Sequence, residues 1–406
     1  MPVTHAEQRL CDSLKARAPA MLADLTRLVA IPTGLNHRAG LDETRGIITQ
    51  RLEALGAHIS IVPGQERDSW LAATGAEPGV PPTAICHKLH VPGARSSVLL
   101  AGHLDTVHDP AGPFRELTLS SDGRTATGPG CVDMKGGLVI AIHALEALAE
   151  AGIPCAWGFV LNSDEETGSY HSDATLRAEA RTYTYGIALE PALPDGSLVV
   201  ERPGSGQFMI EVHGKASHVG RDFASGVSAV NAMARAILDV AAMANPAAGV
   251  ITNIGPLQGG AAANVVPDLA RAWGNARFAS QRHADDLGAR LDALATPSDA
   301  LPRIDIRRSF NRPPKPLTPA TEQLALAARA VAEDLGQKLP FGKTGGVCDG
   351  NNLQAAGLPT IDTLGVRGGG LHTPQEWIEI TSLLERAQML AVLIARLCER
   401  GTAPDA

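Results

Sequence analysis

No C-x-x-C pair occurs among the six cysteines (Cys11, Cys86, Cys131, Cys155, Cys348 and Cys398). Their scatter fits reduced thiols in a cytoplasmic protein better than a disulfide framework or a zinc knuckle. Positive charge is not in excess. With 35 Lys and Arg against 43 Asp and Glu, the formal net charge of −8 disfavours nucleic acid and anionic membranes as partners. No long hydrophobic run occurs either: the most apolar helical stretch, 137–148, is interrupted by His143 and Glu146 and is too short to cross a bilayer. MPVTHAEQ at the start has no basic segment followed by an apolar one, so no secretory signal is expected. Internal repeats and long low-complexity tracts are also missing. What is present is an ordinary globular mixture, 44% hydrophobic and 19% charged. At 406 residues it is long enough for a large core plus a second domain.

Helical spacing over 6–29 stops at Ile31-Pro32, where proline ends the run, and a second helix is expected over 41–55. Short apolar runs at 97–101, 156–161 and 185–189, with a helical stretch 134–149 after the first, favour an α/β layered sheet with helices on both faces. Residues 64–95, rich in Pro and Gly, read as an irregular insertion. From about Gly196 the rhythm changes. Strands at 207–212, 249–257, 265–279 and 303–309 alternate with helices at 225–244 and 282–295 in the order β-α-β-β-α-β, which marks a ferredoxin-like α+β unit. Residues 311–316 then form a stiff proline-rich linker. A helix at 318–335, a strand at 359–364 and a helix at 380–400 resume the first style. The expected fold class is therefore α/β, a layered mixed sheet domain over 1–195 and 314–406 with a ferredoxin-like domain inserted over 196–313.

Four places put metal-binding or acid–base residues at the end of an apolar run. His103 and Asp105 follow the first, at the strand edge where ligands gather in open α/β sheets. An imidazole near a carboxylate is a common arrangement around zinc, and an ordinary strand-end histidine is the plain alternative. Asp133 lies between glycines just before a helix, as an N-cap or as a ligand. Asp164-Glu165-Glu166 follows another run; such a triplet is a solvated loop, or a pair in which one carboxylate binds metal and its neighbour takes a proton from water. Glu190 ends a further strand, and His372 follows a glycine triplet. Together these residues match what two zinc ions sharing a carboxylate require. Two histidines tilt the choice from calcium or magnesium towards zinc, with cobalt or manganese as substitutes.

The segments G-H-L-D-T-V (102–107), G-P-G-C-V-D-M-K-G-G (128–137), D-E-E-T-G-S (164–169) and G-G-G-L-H-T-P (368–374) resemble those of a zinc-dependent family. That family comprises the glutamate carboxypeptidases, acetylornithine deacetylases, succinyl-diaminopimelate desuccinylases and aminoacylases, and the resemblance extends over nearly the whole chain. It implies that Asp133 bridges two metals, that His103 and Glu190 complete one site, and that Glu166 and His372 complete the other. Glu165 would be the general base that takes a proton from the attacking water and returns it to the leaving amine. Asp105 would orient His103, and the peptide bond Asp133–Met134 would be cis. The inserted domain is similar to the family's lid and dimerisation domain. There His218, in H-G-K-A-S-H-V-G (213–220), would reach the partner subunit's site of a homodimer to stabilise an oxyanion. Asn264 and Arg277 would contact substrate, Arg277 as a clamp on its carboxylate, with Arg312 a second candidate. A departure occurs at 345–352, where Gly-Gly-Val-Cys-Asp-Gly-Asn-Asn replaces the Gly-Gly-x-x-Asp-Ala of many relatives.

The resulting expectation is an amidohydrolase that cleaves N-acyl amino acids or C-terminal residues of small peptides bearing a free carboxylate. The alternative enzyme is a biosynthetic deacylase of the acetylornithine or succinyl-diaminopimelate kind. A non-catalytic protein that binds amino-acid derivatives is the alternative from another class.

Overall fold

The computed structural model describes residues 2–34, 37–71 and 79–400. A six-stranded mixed sheet lies at the centre, in the order His58–Val62, Thr83–Lys88, Ala156–Asn162, Ser97–His103, Tyr185–Ala188, Thr360–Ile361. The last four strands run parallel, and the first two are antiparallel additions at one edge. Ala156–Asn162 is buried along its whole length, as a strand covered on both faces must be. Alternate residues of Ser97–His103 feed two different cores. Val98 and Leu100 join the large cluster under Gly136–Glu150 and Thr381–Glu399. Leu99 and Ala101 join a smaller one with Leu176 and Ala180 of Asp173–Ala180 and with Leu353 of Asp349–Ala355.

Two expectations for the first hundred residues need correction. The helical run 6–29 is two helices, His5–Ala16 and Ala18–Ala30, because Pro19 has no N–H for a continuing helix and sits instead in the first turn of a new one. Nor is 64–95 irregular throughout, although residues 72–78 lie outside the described set. It contributes the strand Thr83–Lys88, whose short apolar stretch is hidden between Pro81-Pro82 and a polar end. It also contributes Trp70 and Leu71, which pack on Met209 and Trp273 of the inserted sheet. Trp273 Nε1 donates to the Trp70 carbonyl at 2.6 Å.

The inserted unit is a four-stranded antiparallel sheet ordered Val250–Gly259, Leu269–Phe278, Gly204–His213, Arg303–Arg312. Ala229–Ala241 and Gln281–Asp292 cover one face, over a separate core that includes Phe208, Ile210, Phe278 and Leu287. Gly274 is required there, since a Cβ would stand 2.0 Å from the Phe208 ring. The single strand expected over 265–279 is divided into Val265–Val266 and Leu269–Phe278 by Pro267. Arg312, expected in a linker, is the last residue of a strand and is buried. Two chain crossings join the units side by side, with Arg202 bridged to Lys315. Both cations meet the buried Asp362, Arg202 through two bonds of 2.9 and 3.0 Å and Lys315 at 3.2 Å.

Candidate metal centre

The C-terminal ends of three adjacent parallel strands deliver His103, the turn 164–166 and Glu190 to one sheet edge. Asp133 arrives on the turn before Gly136–Glu150, and His372 on the loop between Gly368–Gly369 and Trp377–Glu379. Asp133 caps no helix: Lys135 occupies that position without a side-chain cap, and the Asp133–Met134 peptide bond is cis. Two groups of potential ligand atoms result, His103/Asp133/Glu190 and Asp133/Glu166/His372. Within each, the atoms lie within 4.8 Å of one another, and Asp133 belongs to both. His103 Nε2 is 3.2 Å from Asp133 Oδ1, whereas His372 Nε2 is 3.5 Å from Asp133 Oδ2 and 3.3 Å from Glu166 Oε2.

Asp105 supports both strand ends. Its carbonyl oxygen lies 2.9 Å from His103 Nδ1 and its carboxylate 3.5 Å away. The carboxylate accepts the N–H groups of Glu165 at 3.3 Å and Glu166 at 2.9 Å. The acidic triplet is not a solvated loop. Asp164 turns inward and accepts from the His171 N–H and the Ser172 hydroxyl, both at 2.6 Å, which fixes the turn that aims its two neighbours at the centre. Arg312 Nη2 stands 2.8 Å from Glu165 Oε1 and also donates to the Glu165 carbonyl and to Ser169 Oγ.

The electrostatics suit a cation. Burial pushes the Glu165 carboxyl up to about 8, with Arg312 opposing. Burial, then the charges of Glu165 and Asp133, raise Glu190 well above the usual carboxylate range. Hydrogen bonds to Asp133 and Glu166 lift His372 to about 10. Burial opposes protonation of His103, but its bonds to Asp105 and Asp133 overcome this and raise it well above its ordinary value. Without positive charge from outside, these groups can share the space only by holding protons. Glu166 Oε1 is buried with no hydrogen-bond partner among the described residues. Imidazole and carboxylate donors around one shared Asp, with an unspent buried oxygen, fit two divalent ions of the zinc, cobalt or manganese type.

Two clefts flank the centre. One, about 380 Å³, is lined by Tyr170, Ser205, Gln207, Asn275, Arg277 and Arg312. The other, about 350 Å³, is lined by Glu190, Leu193, Pro194, Arg202, Thr344 and Leu371. Gly346 and Val347, from the segment that departs from the family pattern, line both. Arg277 donates to Ser205 and Asn275. His218 and Asn264 line neither cleft; both are exposed on the inserted domain, His218 in the short strand paired with Val265–Val266 and Asn264 in the turn just before that pair.

Sequence reading missed Glu376, which accepts backbone N–H groups around Asp133, and Asp349, buried behind Glu165 and bonded to Asn162 and Ser169. Glu376 lies two residues past the quoted G-G-G-L-H-T-P segment, and Asp349 lies inside the departing one. Proximity to those motifs was the only signal.

A family model described as peptidase family M20/M25/M40 matches residues 99–396. Carboxypeptidase G2 of Pseudomonas sp. (strain RS-16) is 27% identical over 387 residues, covering 93% of this chain and 89% of its own. A succinyl-diaminopimelate desuccinylase of Psychrobacter arcticus is 27% identical over 324 residues, 74% of this chain and 78% of its own. Among solved structures, a tripeptidase of Staphylococcus aureus shares the fold with a TM-score of 0.75 at 22% identity, covering 94% of this chain and 99% of that one. The chain belongs to peptidase family M20/M25/M40, a metal-dependent family, and is a hydrolase of peptide or amide C–N bonds. No helix among the described residues is long and apolar enough to cross a membrane.

Proposed function

Proceeding from a hydrolase of this family, we propose a two-metal amidohydrolase that releases amino acids from N-acyl amino acids or from the C-termini of small peptides. The observation that carries the reading is Asp133, shared by two ligand groups, with Glu165 buried beside them but belonging to neither. His103 and Glu190 complete one site around Asp133, and Glu166 and His372 complete the other. Two zinc ions, or cobalt or manganese in their place, supply Lewis-acid stabilisation of the carbonyl oxygen and a lowered pKa for water when bound. Glu165 takes the proton of the attacking water and hands it to the leaving amine. Its raised proton affinity in a buried setting suits a group that must do both. Asp105 holds His103 and, through two backbone N–H groups, the turn that carries base and ligand. Arg277, facing the cleft from the inserted sheet, clamps the free carboxylate of the substrate, with Asn275 fixing the guanidinium. Glu165→Ala should lower turnover by about 10²–10⁴-fold while two metals per chain stay bound. Retained activity would contradict the base assignment.

A second reading, a deacylase of the succinyl-diaminopimelate kind, is favoured by one feature. Arg202 lines the cleft beside Glu190, its Nε and Nη2 held by Asp362 and its Nη1 left to meet an acidic acyl group there. A hydrolysis screen that varies the acyl group and the carboxylate-bearing residue independently separates the two readings. Preference for a dicarboxylic acyl group selects the second, and indifference to it the first.

The inserted domain exposes Phe223, Leu238, Ile251, Leu257 and Val265. Such a surface suits a homodimer in which His218 serves the partner subunit's centre. Mixed dimers of His218→Ala with an Asp133→Ala chain should regain part of the activity that each lacks alone. Mixed dimers that form yet stay inactive would contradict service across the interface.

A further inference from the structure

We propose that Glu376 is a positioning residue that sets the shared Asp133 and ties it to the His372 loop, an inference that rests on the two-metal reading above. Its side chain is 1% exposed and touches neither cleft. Oε1 accepts the N–H groups of Val132 at 2.9 Å and Asp133 at 3.0 Å. Oε2 accepts the N–H of Gly130 at 2.9 Å and stands 2.6 Å from His108 Nε2, which donates to it. Four donors fill the roughly four lone-pair positions of a carboxylate, so Glu376 has nothing left to offer an ion, a substrate or a proton in transit. A buried acid this fully used holds its partners in place.

Those partners are the backbone of the turn that carries Asp133. Holding the N–H groups from Gly130 to Asp133 fixes the backbone from which the Asp133 side chain leaves, one of its oxygens lying towards His103 and the other towards His372. The main chain of Glu376 strengthens the link. Its carbonyl accepts the Gly128 N–H at 3.1 Å, and its N–H donates to the Thr373 carbonyl, also at 3.1 Å. One residue thereby ties the start of the Asp133 turn to the segment directly after His372. Charge on the carboxylate makes each N–H bond stronger than a neutral acceptor would. An amide at this position must turn its –NH₂ towards N–H donors and loses at least one bond.

Glu376→Gln tests this with cobalt chloride added to metal-free protein, read by affinity and by the visible cobalt absorption. The variant should bind cobalt about 10–100-fold more weakly, the usual scale for a group that orients metal ligands. Its absorption bands should shift and kcat should fall with little change in KM, while the metal-free melting temperature stays close to that of the parent. Parental affinity and bands would overturn the proposal. Should Glu376→Gln fail to fold, His108→Ala keeps the carboxylate and its three N–H bonds. It should shift affinity in the same direction by less, and unchanged affinity would then overturn the proposal. A parent protein that takes up no cobalt would contradict the two-metal reading itself; a parent that takes up two ions beside unchanged variants would contradict only the role of Glu376.

Discussion

The two halves of the centre are built differently. The His103 side chain is 1% exposed, at the end of a strand paired on both sides, whereas the His372 side chain is 54% exposed, on a loop where its own φ is +62°. A residue at the end of a buried parallel strand is placed by the same hydrogen bonds and core packing that make the sheet. A non-glycine residue with left-handed φ is placed by its loop and by whatever holds that loop. The sheet therefore prepares the first half before any ion arrives, and the second half depends on the ties between the His372 and Asp133 loops.

The largest effect expected from breaking this contrast is in metal content. His103→Ala should leave the sheet-borne site without its imidazole and abolish turnover, with any ion still retained bound well below parental affinity. His372→Ala should retain one ion at near-parental affinity and lose the other, more exposed one. Titration with metal, followed by counting tightly bound ions after dialysis, distinguishes the two; equal losses in both variants would refute the contrast. A smaller effect sharpens the role of the inserted sheet, which carries no ligand but faces the cleft. Arg277→Ala should remove a charged hydrogen-bonding partner of the substrate worth about 1.5–3 kcal/mol, roughly 10–150-fold in KM, with kcat changed much less. Steady-state kinetics that show the loss in kcat alone would remove Arg277 from substrate binding.

The same contrast explains what could be read from the chain. Runs such as Val98–Ala101 and Trp157–Leu161 are continuous because both faces of the strand are covered, so the strands and the residues at their ends were legible locally. The ferredoxin-like order of the inserted unit was legible from its change in rhythm. Contacts across long sequence distances were not. Nothing near Glu376 in the chain reveals that its oxygens meet amides 243 to 246 residues earlier. Likewise, no local pattern around Trp70 shows that it packs on Trp273, 203 residues later. Asp133 is the intermediate case: a helix start invites a cap, and only the convergence of four distant segments makes a shared ligand the better account. The break inside the run expected as one helix over 6–29 has a local signal that the expectation passed over: Pro19, placed as it is at the start of a new helix.

Asp133 is proposed to join two ions. Anomalous diffraction at the metal edge from crystals grown with zinc tests it directly. Two peaks should flank the Asp133 carboxylate, one beside His103 and Glu190, the other beside Glu166 and His372. A single peak, or two peaks of which Asp133 touches only one, would contradict it.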